Sequence, residues 1–282
     1  MIKVKKDTDK IPASLLKANR KDAFAENVKK QCYDSSNEYY KSSDVKEALD
    51  AIYHKKCAYC EKKLWDTVRA IEHYRPKNKR DDKTTKCNNS NAYYWLAFSW
   101  DNLLLACSQC NWLKGCCFDI DGTRATYEGQ AFDKVQGLAK DYHKTEKPWL
   151  LNPEIDEDDP AGLFYFEKDG TMKSKGDKRM AYTIRICGIG DREELVVLRM
   201  KELNNFKNSL LRSFGNLGRS TNIIDILMNR IGEFAEETKP ENEFTAWRTY
   251  IFDHFLNFTH NPDSDDYNKV LKLAYMKYKS SQ

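Results

Sequence analysis

The stretch CAYCEKKLWDTVRAIEHYRPKNK, residues 57–79, contains the motif on which the fold of this 282-residue chain depends. It opens with a Cys-x-x-Cys pair, Cys57 and Cys60, and a second pair of the same spacing, Cys107 and Cys110, follows after 46 intervening residues. Each pair can direct two thiolates at one ion, because the short turn between the cysteines brings both sulfurs to the same side. Together the pairs predict a structural zinc (Zn²⁺) site with four cysteine ligands.

The distance between the two pairs is unusual for a zinc site. A simple zinc ribbon separates its pairs by about 15 to 20 residues, so here a folded insert must lie between them. Zinc would clamp both ends of that insert and contribute to its folding. Among the other five of the nine cysteines, which we expect to be free thiols, Cys116 and Cys117 are the alternative ligands. A disulfide framework is not expected without an export signal.

Composition and charge narrow the class of protein. Charged residues make up 32% of the chain and the mean hydropathy is −0.78, which predicts a soluble protein with a well-solvated surface. There is no apolar run long enough to span a membrane and no secretory leader, so we expect a cytoplasmic protein with no membrane partner. Residues 54–117 contain twelve Lys or Arg and six Asp or Glu. This local excess favours an anionic partner such as nucleic acid, although an ordinary solvated face is the alternative.

Helical periodicity and turn signals divide the chain into four segments. Helices are expected over 18–31 and from Ser42 or Ser43 to Tyr53, and Asp169-Gly170 between two short alternating runs predicts a β-hairpin. From about residue 176 onward we expect helices only. The predicted segments are an N-terminal arm with helices (1–53), a core with the cysteine pairs (54–120), a connector with the hairpin (121–175) and a helical region that docks a partner (176–282).

The insert between the cysteine pairs contains three further motifs in a recognisable order. An acid–His pair, Glu72-His73, is followed by Asn102 before an apolar run, and then by Asn111 and Lys114 in the pattern Cys-Asn-x-x-Lys. Residues 57–118 thereby resemble the ββα-metal fold of HNH endonucleases, in the form braced by two Cys-x-x-Cys pairs. More narrowly, the motifs CAYCE, IEHYRPK and YYWLAFSWDNLLLACSQCNWLKG resemble the HNH nuclease subunit of Septu-type and retron-associated anti-phage defence systems. The resemblance implies an α+β chain, predominantly helical, around this core.

Each motif residue has a role in such a site. His73 would be the general base that activates water, because a neutral imidazole titrates near working pH. Glu72 and Asn111 would bind one Mg²⁺ or Mn²⁺ through oxygen, and Asn102 would fix the orientation of His73. The departures from the common pattern are Asn111 in place of His and Glu72 in place of Asp. Adjacent strand residues point to opposite faces, so a shared site at Glu72 and His73 predicts a bent or bulged strand.

Basic and aromatic side chains surround the motif. Arg75, Lys77, Lys79 and Lys114 are candidates for contact with a nucleic-acid backbone, and solvated charges are the alternative. The aromatic cluster Tyr93, Tyr94, Trp95, Phe98 and Trp100 is expected to pack the core rather than to stack on bases.

These features predict a metal-dependent HNH endonuclease that hydrolyses nucleic-acid phosphodiester bonds, with DNA favoured over RNA as substrate. The resemblance implies an ABC/AAA-type ATPase subunit as partner, and in some systems a retron reverse transcriptase with its msDNA. The alternative is a module without catalysis, which binds nucleic acid or a protein through a zinc-braced fold.

Overall fold

The computed structural model describes residues 1–65, 69–78, 92–155, 158–217 and 222–282. About half of these residues are helical and the strands are few and short, so the predicted α+β class with predominant helix is confirmed. The chain forms two compact units. The first unit comprises Met1–Phe164 and Lys173–Gly190, and the second comprises Tyr165–Met172 and Asp191–Gln282.

The N-terminal segment of the first unit carries two helices, α1 (Ala18–Lys30) and α2 (Ser43–Tyr53), as predicted within a residue or two. In α2, Val45, Leu49 and Tyr53 recur at helical spacing and are buried. The predicted extended arm before α1 is part of the packed unit. Its Val4 N–H donates to the carbonyl of Pro153 at 2.8 Å.

The segment between the cysteine pairs contains two antiparallel strands followed directly by a helix. Strand β1 (Arg69–His73) pairs with β2 (Leu103–Cys107), and α3 (Ser108–Lys114) begins at the next residue. All five residues of β2 are buried, which explains its continuous apolar sequence LLLAC. The pairing runs without interruption from Arg69 opposite Cys107 to His73 opposite Leu103. The prediction that β1 is bent or bulged is therefore wrong.

Two more helices complete the first unit. Helix α4 (Leu138–Glu146) was not predicted, because its sequence LAKDYHKTE contains few apolar residues. Helix α5 (Lys178–Cys187) was predicted within the helical region that starts at 176. It belongs instead to the first unit, where it packs against α3 and its Thr183 hydroxyl accepts a hydrogen bond from Leu151 N–H at 3.0 Å.

The second unit is a helical bundle with the predicted hairpin turn. The hairpin strands are β3 (Phe164–Phe166) and β4 (Met172–Ser174), with Asp169-Gly170 in the turn. The helices are α6 (Glu193–Leu217), α7 (Ile223–Glu236), α8 (Thr245–Asp253), α9 (Phe255–Thr259) and α10 (Asp265–Ser280). One helix was expected over 243–259, but it breaks at His254, whose φ is −110°.

Stacked aromatic rings hold the bundle together. The rings of Phe206 and Phe234 lie 3.9 Å apart between α6 and α7, and those of Phe255 and Tyr275 lie 4.4 Å apart between α9 and α10. Such pairs add to the stabilisation from burial alone. None of the helices in the described parts of the chain combines the length and the apolar character needed to cross a bilayer.

Gly188 allows α5 to end against α3. It has a left-handed φ of +57°, and a Cβ placed there would lie 2.5 Å from Cδ1 of Leu113. Gly188→Ala should therefore lower the free energy of unfolding by about 2 kcal/mol or more, from backbone strain and steric overlap. Urea denaturation measures this change.

The matched control is Gly137→Ala, at the start of α4. Its φ is −117°, and a Cβ there meets no atom within 4 Å. Equal stability of the two variants would contradict the packing of α5 on α3.

Candidate active site

Four cysteine sulfurs converge in the interior of the first unit. Cys57, Cys60, Cys107 and Cys110 are all buried, and their Sγ atoms lie within 4.8 Å of one another. The Cys60 and Cys107 sulfurs are 3.8 Å apart. A tetrahedral zinc with Zn–S bonds of about 2.3 Å places its sulfurs about 3.8 Å apart. The cluster therefore has the ligand set and the spacing to hold a zinc ion, as the Cys-x-x-Cys pairs predicted.

The backbone joins this cluster to the strands. Ala58 N–H donates to the carbonyl of Leu105 at 2.8 Å, which ties the first cysteine pair to β2. Cys107 ends β2 and caps α3, where its sulfur accepts from Cys110 N–H at 3.3 Å. Burial raises the pKa of Cys57, whereas hydrogen bonds from Cys110 and the other two cysteines lower the pKa of Cys107. The same four residues thus set the angle between strand and helix.

The alternative ligands do not join the cluster. Cys116 is a half-buried thiol beyond the end of α3. Cys117 is disulfide-bonded, which corrects the expectation that it is a free thiol.

His73 lies at the end of β1 with its ring 5% exposed. Its Nε2 is 2.9 Å from the carbonyl oxygen of Ala97. A carbonyl can only accept, so Nε2 carries the hydrogen and Nδ1 of the neutral ring keeps its lone pair. The ring of Tyr40 packs edge-on at 4.6 Å between centroids. Burial, with a further contribution from the nearby charge of Lys77, lowers the pKa of His73 well below its usual value. The imidazole is therefore held neutral, in one tautomer.

Asn102 fixes the two segments that hold this ring. The Asn102 side chain is fully buried. Its Oδ1 accepts a hydrogen bond from Arg75 N–H at 2.8 Å. Its Nδ2 donates to the carbonyls of Arg75 at 3.0 Å and Leu96 at 3.3 Å. Arg75 follows His73 closely and Leu96 precedes Ala97, so one amide links the strand end to the carbonyl that orients the imidazole. Asn102 thus connects to the ring only through the backbone of Arg75 and Leu96, and its role in orienting His73 stays a prediction.

Glu72 points to the other side of β1 and forms a buried ion pair. Its Oε1 contacts the ammonium of Lys114 on α3, and both side chains are at most 2% exposed. The Lys114 ammonium also donates to the carbonyl of His73 at 2.8 Å. Burial raises the pKa of Glu72, and the charge of Lys114 opposes that shift. Lys114 therefore lies inside the fold and not on a phosphate-binding surface.

One cavity brings the predicted site residues together. It has a volume of about 580 Å³, and Glu72, His73 and Asn111 all border it. Residues of β1 and α3 that carry oxygen donors thus border one space. Such a sparse protein ligand set fits Mg²⁺ or Mn²⁺, because these ions commonly keep waters and bind one or two protein oxygens together with substrate phosphates. Four cationic side chains also line the cavity: Lys41, Lys46, Arg69 and Lys77.

The predicted nucleic-acid contacts separate into different environments. Lys77 lines the cavity, with its ammonium 4.9 Å from the ring centre of Tyr40. Arg75 is 1% exposed, and its Nε donates to Oε2 of buried Glu146 at 2.7 Å. This side chain is therefore an internal ion-pair partner, which departs from the expected contact with a nucleic-acid backbone. Lys79 lies outside the described residues.

Sequence reasoning missed several residues that shape the site. Tyr40, Lys41 and Lys46 come from the segment before residue 54, for which no function was predicted. The pattern of α2, with Lys46 beside buried Val45, is that of any amphipathic helix and does not identify a site. The side chain of Lys6 in the N-terminal arm is also buried, and its ammonium donates to the carbonyls of Trp100 at 2.8 Å and Leu103 at 2.5 Å. It thereby holds the chain on both sides of Asn102.

The aromatic cluster packs the core, as predicted. Tyr93, Trp95, Phe98 and Trp100 are each at most 4% exposed, and Tyr94 is half-buried with its ring 5.1 Å from that of Trp95. The four buried rings are not available to stack on a nucleic-acid base.

Comparison with known proteins finds similarity to two Septu proteins. The chain is 31% identical to Septu protein PtuB of Bacillus mycoides (strain KBAB4) over 189 residues, which are 66% of this chain and 59% of PtuB. A weaker match, 24% identity over 164 residues, is to Septu protein PtuA of the same strain and covers 21% of PtuA. The chain therefore spans about three fifths of the length of its PtuB relative. No protein-family model matches the chain, and no solved structure matches it significantly. The resemblance to a Septu protein that the motifs suggested is confirmed as similarity to PtuB.

The buried Glu72–Lys114 pair leads to a stability prediction. Lys114→Met should lower the free energy of unfolding by about 3–5 kcal/mol, because it leaves the Glu72 carboxylate buried without a partner. The double variant Glu72→Gln/Lys114→Met should recover much of this loss. Denaturant unfolding of both variants in excess zinc measures the difference.

Lys144→Met is the matched control, because Lys144 is exposed on α4. Its effect should stay within about 0.5 kcal/mol. If Lys114→Met proved as harmless as Lys144→Met, Lys114 would be a surface cation available to phosphate.

Proposed function

We propose that this PtuB-like chain is a metal-dependent endonuclease of the HNH type that hydrolyses nucleic-acid phosphodiester bonds. The observation that carries the proposal is the convergence of His73, Glu72 and Asn111 on one basic cavity, with the imidazole held in a single neutral tautomer. A carboxylate, an amide oxygen and an unprotonated ring nitrogen are the groups that metal-assisted hydrolysis needs. The strand–strand–helix order of β1, β2 and α3 supports the ββα-metal fold that the motifs imply.

His73 acts as the general base in this proposal. Its Nδ1 takes a proton from a water molecule, whose oxygen forms a bond to phosphorus while the bond to the leaving 3′-oxygen breaks. The Ala97 carbonyl keeps the ring in position throughout, because the Nε2 hydrogen bond is satisfied before substrate arrives. Once protonated, the imidazolium still donates to that carbonyl. Nδ1 then returns its proton to solvent, and the leaving 3′-oxygen takes a proton from solvent.

The acidic and amide groups hold the cofactor and the phosphate. Glu72 and Asn111 would bind Mg²⁺ or Mn²⁺, which when bound stabilises charge on the phosphoryl oxygens and on the leaving oxygen. Lys114 holds Glu72 by one carboxylate oxygen, so that the side chain has one orientation. The cationic side chains around the cavity attract the anionic backbone of the substrate. The four cysteines would hold a structural zinc that keeps α3, and hence Asn111, beside β1.

The partner is proposed from the similarity to Septu proteins. An anti-phage role follows from the resemblance to PtuB, and the weaker match to PtuA suggests a complex with a PtuA-like subunit. That subunit would be the ABC/AAA-type ATPase that the sequence motifs imply, and in some systems a retron reverse transcriptase with its msDNA would join. We propose DNA as the first substrate to test and RNA as the second.

His73→Ala should lower the rate of Mg²⁺- or Mn²⁺-dependent cleavage by about 10²- to 10⁴-fold, which is the usual contribution of a general base. The assay uses plasmid DNA, single-stranded DNA and total RNA, with the full chain alone and together with a PtuA-like ATPase. The zinc content of the variant should match that of the unaltered chain, because His73 is not part of the cysteine cluster.

His260→Ala is the control, since His260 is exposed and lies in the second unit. It should cleave at the unaltered rate. Cleavage by His73→Ala at that same rate would refute the role of His73 as base. If the unaltered chain cleaved no substrate even with its partner, the alternative of a non-catalytic nucleic-acid-binding or protein-interaction module would replace the nuclease.

A further inference from the structure

Trp112 is exposed beside the cavity. It lies on α3 next to Asn111, its side chain is 72% exposed, and it borders the same cavity as His73. Three other tryptophans, Trp95, Trp100 and Trp247, are at most 4% exposed. Among the described residues, no aromatic ring or cation packs on the face of the Trp112 indole. A large flat apolar surface is therefore available where the substrate would bind.

The cavity beside this ring attracts anions. Of its cationic side chains, Lys46 and Lys77 form no ion pair within the part of the chain that the structure describes. Arg69 is paired with Asp50, and Lys41 is paired with Glu38. Two lysines that form no ion pair with the described residues and an exposed indole thus border one space. A nucleotide matches both features, because it joins an anionic phosphate to a flat aromatic base.

We propose that Trp112 forms a base-stacking subsite of the catalytic cavity, and that the preferred substrate presents an unpaired nucleotide there. Inside a duplex both faces of each base are covered by neighbouring bases, so only an unpaired or flipped base can offer a face to the indole. The subsite therefore selects single-stranded DNA or RNA, or the unpaired part of a structured strand. This inference rests on the proposed nuclease function, because it places the stacked base beside the phosphate that His73 attacks.

The test measures binding apart from cleavage. Every protein in the test is the full chain with His73→Ala, a change that removes cleavage. Each protein is titrated, in the presence of Mg²⁺, into a fluorescently labelled DNA of about 20 nucleotides. This length exceeds a typical single-strand binding footprint. The DNA is used single-stranded and annealed to its complement. Trp112→Ala should raise the Kd for the single strand by about 5- to 100-fold, the usual effect of losing one stacked base, and change the Kd for the duplex less than twofold. Trp112→Phe should keep most of the affinity.

Trp65→Ala is the matched control. Trp65 is 75% exposed, in the same unit, and is not among the described residues that line the cavity. Its replacement should leave both Kd values unchanged. Because both rings are on the surface, the variants should unfold at the same temperature as the parent, and this is measured alongside.

The possible outcomes test the stacking subsite and the nuclease function separately. Three results would overturn the stacking subsite even if the unaltered chain cleaves nucleic acid. Trp112→Ala could lose affinity equally for single strand and duplex, it could lose none, or Trp65→Ala could lose as much affinity as Trp112→Ala. A selective loss for Trp112→Ala, in a protein whose unaltered form cleaves nothing, would support the subsite and overturn the nuclease.

Discussion

The approach of four cysteine sulfurs to one another is the constraint on which the rest of the first unit depends. Cys107 is the last residue of β2, the cap of α3 and a member of the cluster. A shift of this residue would change the angle between strand and helix, and with it the position of Asn111 beside β1. An α3 of seven residues has little intrinsic stability as a helix. Its position therefore depends on the sulfur cluster at its first turn and on α5, which packs against it through Leu113 and Gly188.

A second set of contacts holds the opposite end of the strands. Asn102 joins the backbone after His73 to the backbone before Ala97, and Lys6 binds the carbonyls on both sides of Asn102. The imidazole is thus placed by hydrogen bonds that involve no metal. The two sets of contacts position different residues. The cysteine cluster positions Asn111 and Trp112 on α3, whereas Asn102 and Lys6 position His73 on β1.

Motif spacing and helical periodicity predicted much of this arrangement. The four cysteines and the boundaries of α1 and α2 depend on local sequence or on fixed spacing, and these predictions agree with the structure. Arg75 and Lys114 were expected on the surface, and both are buried. Their partners explain the difference, since Glu146 is 71 residues from Arg75 and the Lys114 ammonium bonds to the strand that carries Glu72. A charge in a basic segment does not reveal whether a distant carboxylate will neutralise it.

The central claim is that the sulfur cluster holds a zinc ion that organises the site. X-ray absorption at the zinc edge of the purified full chain tests this most directly. The account predicts about one zinc per chain, with a single shell of four sulfur neighbours at about 2.3 Å. It also predicts that removal of the metal by a chelator lowers the unfolding temperature, because four buried thiols then lose their shared cation. A shell of nitrogen or oxygen ligands, or a zinc-free chain that unfolds at the same temperature, would contradict it.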